Sequence, residues 1–194
     1  FDEATAILAG DALQSLAFEV LADCHAGADP AVSVELITQL ASASGVNGMV
    51  GGQALDLEAD KQGQPENPDT SHVSRLQAMK TGALIRFSCE AGAILANASG
   101  SSRTSLSDYG RHLGYAFQIA DDLLDAEGDE QRVGKALAKD AAAGKATLVS
   151  LLGAEPAKSE LRGTVEKAKA ALLPFGAKAE TLVATAEFVA YRDK

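Results

Sequence analysis

A chain of 194 residues with 46% hydrophobic side chains fits one domain with ample core for its size. Aromatic residues make up only 5% while alanine and leucine abound, which favours an all-α fold over a sandwich or barrel. A net charge of −10 argues against nucleic acid as a partner, although local basic spots can still bind phosphate.

Residues 1–26 place Ile7, Leu8, Leu13, Leu16, Ala17, Val20 and Leu21 at helical recurrence, interrupted only by Gly10-Asp11. The pattern starts abruptly, with no initiator methionine, so further residues are expected upstream. Asp29-Pro30 supplies an N-cap and a first-turn proline for a second helix to about Ser44. Residues 45–60 then carry Gly45, Gly48, Gly51 and Gly52 among apolar neighbours. Each costs a helix about 1 kcal/mol relative to alanine, so tight helix packing is the expected use. Gln53 and Asp56, three residues apart, are open to a cavity-facing role or to a surface or capping one.

Pro65 and Pro68 mark residues 61–69 as a loop, and Ser71 caps a predicted single helix through Ala98. Lys80 lies on its apolar stripe, and Thr81 is expected to disturb the helix by bonding back to a carbonyl. A turn at residues 100–102 precedes a helix starting at Thr104 or Ser105. That helix carries Gly-Tyr-Ala-Phe-Gln-Ile-Ala-Asp-Asp-Leu-Leu-Asp over residues 114–125.

Asp121 and Asp125 leave one helical face about a turn apart, with Asp122 rotated about 100° away. Anions that close raise each other's pKa and weaken the helix unless a cation sits between them. Oxygen ligands with no histidine or cysteine nearby suit a hard divalent ion, and magnesium takes one or two carboxylates while leaving other positions to water and phosphate. The bland reading is a solvated face in an acidic chain. Against it stand Phe117, Ile119, Ala120, Leu123 and Leu124, which make the surrounding turn apolar, so the carboxylates need a partner. Gly128 suggests the helix end. Lys135 and Lys145 each follow a glycine and could hold phosphate oxygens.

Residues 147–152 form a short apolar helix, Pro156 opens another to about Leu173, and Pro174 with Gly176 ends it. Leu182, Val183, Ala186, Val189 and Tyr191 mark a final amphipathic helix. Cys24 and Cys89 form no Cys-x-x-Cys pair, which leaves no disulfide framework or zinc site. The scattered His25, His72 and His112 support no catalytic triad. No apolar run approaches about 20 residues and no basic-then-apolar leader opens the chain. A cytoplasmic location without a membrane span is therefore expected.

Residues 114–125 resemble the second aspartate-rich motif of the trans-isoprenyl diphosphate synthases, the farnesyl and geranylgeranyl diphosphate synthase family. Gly134-Lys135, Lys139-Asp140 and Gly144-Lys145-Ala146-Thr147 resemble the lysine-bearing loop that follows it there. Gly48-Met49-Val50-Gly51-Gly52-Gln53 with Asp56 is similar to the family's glycine-rich helix, and Lys80-Thr81-Gly82 to its Lys-Thr motif. The resemblance implies one isoprenoid synthase-like helical bundle over residues 1–194, of about eight helices around a central cavity, N-terminally incomplete. It also implies a short-chain polyprenyl diphosphate synthase of farnesyl type, a homodimer that joins an allylic diphosphate to isopentenyl diphosphate. By the same carry-over, Asp121, Asp122 and Asp125 would hold magnesium, Lys80, Lys135 and Lys145 the diphosphate, and Lys80, Thr81 and Gln118 would serve the reacting end. The family's first aspartate-rich motif, paired arginines and N-terminal basic site do not occur, so the chain by itself is expected to be inactive. The alternatives are a terpene cyclase, whose asparagine-serine-glutamate motif is missing, and a noncatalytic synthase-like subunit.

Overall fold

The computed structural model describes residues 1–23, 29–62, 70–132 and 147–192, without the side chains of 59–62 and 127–132, and every regular element among them is helical. In chain order these are α1 (Glu3–Ala22), α2 (Pro30–Ser44), α3 (Met49–Gln62), α4 (Thr70–Gln77), a π-helical turn (Ala78–Gly82), α5 (Ala83–Leu95) and α6 (Gly100–Arg132). After them come α7 (Leu148–Leu152), α8 (Ala154–Ala171), a 3-10 segment (Leu173–Ala179) and α9 (Glu180–Tyr191).

The caps follow from side-chain chemistry. Asp2 accepts from the Thr5 N–H at 2.7 Å and Asp29 from the Ala31 N–H at 2.9 Å, satisfying donors that a helix start leaves open. Thr147 and Ser150 form a reciprocal capping box that starts α7 directly after a segment outside the described residues.

The core is built on α6, which packs against α5, α8 and α9. Tyr109, Leu113, Ala116, Ala120 and Leu123 recur at four- and three-residue steps, so one stripe stays buried over several turns. From α8, Ala157, Leu161, Val165 and Ala168 meet it with the same spacing. Ile119 is fully enclosed, and such burial is worth about 1.5–3 kcal/mol. The Tyr109 hydroxyl donates to the Leu182 carbonyl at 2.7 Å, which ties α6 to the last helix and satisfies a polar group inside the core.

Three local expectations change. Instead of one helix from Ser71 to Ala98, the chain makes α4, a π turn and α5. Thr81 does sit at the irregularity, but its hydroxyl donates to Gln118 Oε1 at 3.3 Å, a partner supplied by another helix. Helix α6 starts at Gly100 and runs past Gly128 to Arg132, because one glycine, at about 1 kcal/mol, does not stop a 33-residue helix anchored by its core face. Finally, α1 buries none of its residues and exposes Ile7, Leu8, Leu13, Leu16 and Val20. It has 20 residues, and with a mean hydropathy of 1.3 over an 18-residue window it passes for a membrane span by length and composition only, which a single helix near the start of the sequence makes weak evidence of one. The interruption at Gly10-Asp11 hid that in the sequence.

Candidate functional site

The π turn carries two of the expected site residues and is held by backbone crossings that only glycine permits. A Cβ on Gly52 of α3 would stand 2.3 Å from the Lys80 backbone nitrogen and 2.7 Å from its Cα. On the α6 side, a Cβ on Gly114 would stand 2.9 Å from the Gly82 Cα. Within the glycine motif it is Gly52 that packs closely on the backbone of the lysine-bearing turn. A π turn inserts an extra residue into the helix and re-aims the side chains within it.

Lys80 Nζ lies 2.7 Å from Asp56 Oδ2. The Asp56 side chain is 14% exposed and that of Lys80 36%, so the pair is part-buried between α3 and the π turn, with the lysine still open to solvent. The open question about Asp56 is thereby answered: it faces a cation, not solvent. Thr81 donates to Gln118 Oε1, and Gln118 Nε2 donates to Asp122 Oδ1 at 3.1 Å. Gln77 Nε2 donates to Asp122 Oδ2, also at 3.1 Å. The Leu148 N–H adds a backbone bond to the same carboxylate. One hydrogen-bonded chain thus joins α4, the π turn, α6 and the start of α7.

The three aspartates fall into different environments. Asp122 is buried, and burial pushes its carboxyl above the ordinary carboxylate range, opposed by the bonds from Gln118, Gln77 and Leu148. Asp121 is half-exposed and takes Arg192 Nη2 at 3.2 Å on Oδ1. The same guanidinium lies 4.3 Å from the Phe117 ring centroid, where the ring face attracts a cation. Asp125 is exposed, one turn further on. Lys135 and Lys145 lie outside the described residues.

Sequence reasoning missed Gln77 and Arg192. Gln77 stands 45 residues and Arg192 71 residues from its aspartate partner, and neither sits in a local pattern that would single it out.

Among the described residues, no three carboxylate, histidine or cysteine groups converge on a ready-made metal site. The donor set still fits magnesium. Asp121 and Asp125 offer accessible carboxylate oxygens on one helical face, and Asp121 already holds one cationic group, the guanidinium of Arg192.

The polyprenyl synthetase family model matches residues 1–172, a span that takes in α1, the Lys80 turn and all three aspartates. The chain belongs to the polyprenyl synthetase family. It is 40% identical over 202 aligned residues to farnesyl diphosphate synthase of Escherichia coli, covering 100% of this chain and 65% of that protein. Among solved structures, an FPP/GFPP synthase from Zymomonas mobilis superposes with a TM-score of 0.85 at 47% identity, covering 97% of this chain and 62% of that one. A geranyltransferase from Helicobacter pylori, complexed with magnesium and isoprenyl diphosphate, matches with a TM-score of 0.76 at 29% identity over 97% of this chain and 60% of its own. The family's all-α architecture is therefore the architecture of this chain. The chain spans somewhat under two thirds of the length of the curated relatives it matches.

Proposed function

We propose that this chain belongs to a prenyltransferase of the farnesyl diphosphate synthase type, which joins an allylic diphosphate to isopentenyl diphosphate and releases diphosphate. The observation that carries the reading is the continuous chain Thr81, Gln118, Asp122 and Gln77, which fixes the lysine-bearing turn against the aspartate helix. A cationic group on the π turn and a pair of carboxylates on α6 support this reading, since a site for a multiply charged anion needs such groups on separate, fixed elements.

In this reading Lys80 holds the allylic diphosphate, with Asp56 orienting the ammonium. Asp121 and Asp125 hold magnesium, while Asp122, clasped by two amides, fixes the orientation of the helix turn that bears them. Bound magnesium would neutralise charge building on the departing diphosphate oxygen. Thr81 and Gln118 line the reacting end, where the double bond of isopentenyl diphosphate attacks the allylic cation. A proton then leaves, with the released diphosphate as acceptor. Lys135 and Lys145 complete the anion site in this proposal. The same reading includes a homodimer, with the exposed apolar residues of α1 as its surface, in the cytoplasm.

Calorimetric titration with geranyl diphosphate tests it. Binding should require magnesium and weaken at least tenfold in Asp121→Asn and in Lys80→Gln. Equal affinity in EDTA, or in both variants, would overturn the assignment.

A further inference from the structure

A cavity of about 540 Å³ opens between α4, the π turn, α6 and α8, and none of Lys80, Asp56, Thr81, Gln118 or Asp121 lines it. Its rim carries Arg75, Arg86, Arg111 and Lys167, with His112 beside them, and no aspartate or glutamate lines it. In a chain of net charge −10 this is a local inversion of sign. Arg86 is paired with Glu90 at 3.3 Å and Arg111 with Asp108 at 2.9 Å. Among the described residues no carboxylate pairs with Arg75 or Lys167.

Two polar residues of the cavity lining are buried. Thr164 is 1% exposed and lines it, and its Oγ1 has no hydrogen-bond partner among the described residues. Gln77, 8% exposed, also lines it, and its Oε1 is likewise without a partner. The walls between are apolar, from Ala78, Met79 and Ala83. Small-molecule sites occupy roughly 300–1,000 Å³ and combine apolar walls with a few convergent polar groups.

We propose that this cavity is a second anion site, which takes a phosphorylated small molecule with a short apolar body and needs no divalent metal. Guanidinium groups match phosphate oxygens in pairs, and an ammonium adds a compact charge, so the four rim cations suit two or more negative charges better than one carboxylate. Gln77 reaches both sites: it lines the cavity, and its amide nitrogen holds Asp122. The π turn is shared in the same way, with Ala78, Met79 and Gly82 on the cavity and Lys80 and Thr81 on the candidate active site.

The test is calorimetric titration with inorganic diphosphate in EDTA, which removes the magnesium-dependent binding proposed above, so the two readings fail separately. Arg75→Gln and Lys167→Gln alter exposed rim side chains, and each should weaken binding at least threefold, the double variant at least tenfold. Lys178→Gln, an exposed lysine that does not line the cavity, should leave the affinity unchanged. On the unaltered chain, diphosphate should slow acylation of Lys167 at least threefold relative to Lys178, read by mass spectrometry. An affinity within twofold of wild type in the double variant, an equal loss in Lys178→Gln, or no binding at millimolar diphosphate would overturn the proposal.

Discussion

Replacing Gly52 by alanine should destabilise the chain although Gly52 lies inside a helix, where alanine is normally the better residue. The added methyl carbon would stand 2.3 Å from the Lys80 nitrogen, 2.7 Å from its Cα and 2.9 Å from its Cβ. All three neighbours are fixed to the backbone, so no side-chain rotation relieves the contact, and α3 must move away from the π turn by about 1 Å to reach ordinary van der Waals separation. Overpacking of this kind costs about 1–3 kcal/mol, and the rigid neighbours put Gly52 at the upper end. Helix propensity returns about 1 kcal/mol, leaving a net loss of about 2 kcal/mol. For a domain of this size that lowers Tm by about 4–8 °C. The matched control is Gly163→Ala in α8, where nothing lies within 4 Å of the new carbon. That variant should gain about 1 kcal/mol and melt higher. Scanning calorimetry of the two reads opposite signs. A Gly52→Ala chain that melts at or above the wild-type temperature would refute the close crossing. The same displacement would separate Lys80 from Asp56, so prenyl diphosphate affinity should fall in Gly52→Ala and stay unchanged in Gly163→Ala.

The raised pKa of Asp122 makes the folded state bind more protons than the unfolded state between the ordinary carboxylate value and the raised one, so its contribution to stability is present below that window and lost as pH rises through it. Asp122→Asn should abolish that part of the pH dependence in denaturant melts, and it should lower stability at neutral pH by about 1–3 kcal/mol, because two amide donors then share an acceptor set with one oxygen fewer. Arg192→Gln removes the cationic group beside Asp121 and should tighten magnesium binding at least threefold in a metal titration; unchanged affinity would mean that Asp121 is not a ligand. Burial, with a smaller push from Glu90, raises the Cys89 thiol to about 11, so in a Cys24→Ser background iodoacetamide at pH 8 should modify it far more slowly than after unfolding.

Much of the site was legible because its chemistry is local in sequence. Asp121 and Asp125 share a face whatever the helix packs against, and Asp29-Pro30 starts a helix by its own geometry. The glycines of α3 announced a close approach, and Lys80-Thr81 announced an irregular turn. What they approached was not legible. Asp56 meets Lys80 across 24 residues, and Gln77 meets Asp122 across 45, so no helical period connects them.

The sequence by itself therefore determined the helical class, the acidic face and the family motifs, since each depends on interactions spanning a few residues. Only the tertiary structure decided which carboxylate is buried and which stays accessible. Asp121 and Asp122 are adjacent and chemically identical, yet one lies beside Arg192 and the other is clasped by two amides and the Leu148 N–H. The reason is physical: a side chain's solvation and partners are set by the helices packed against it, and their approach is fixed by contacts between residues far apart in the chain.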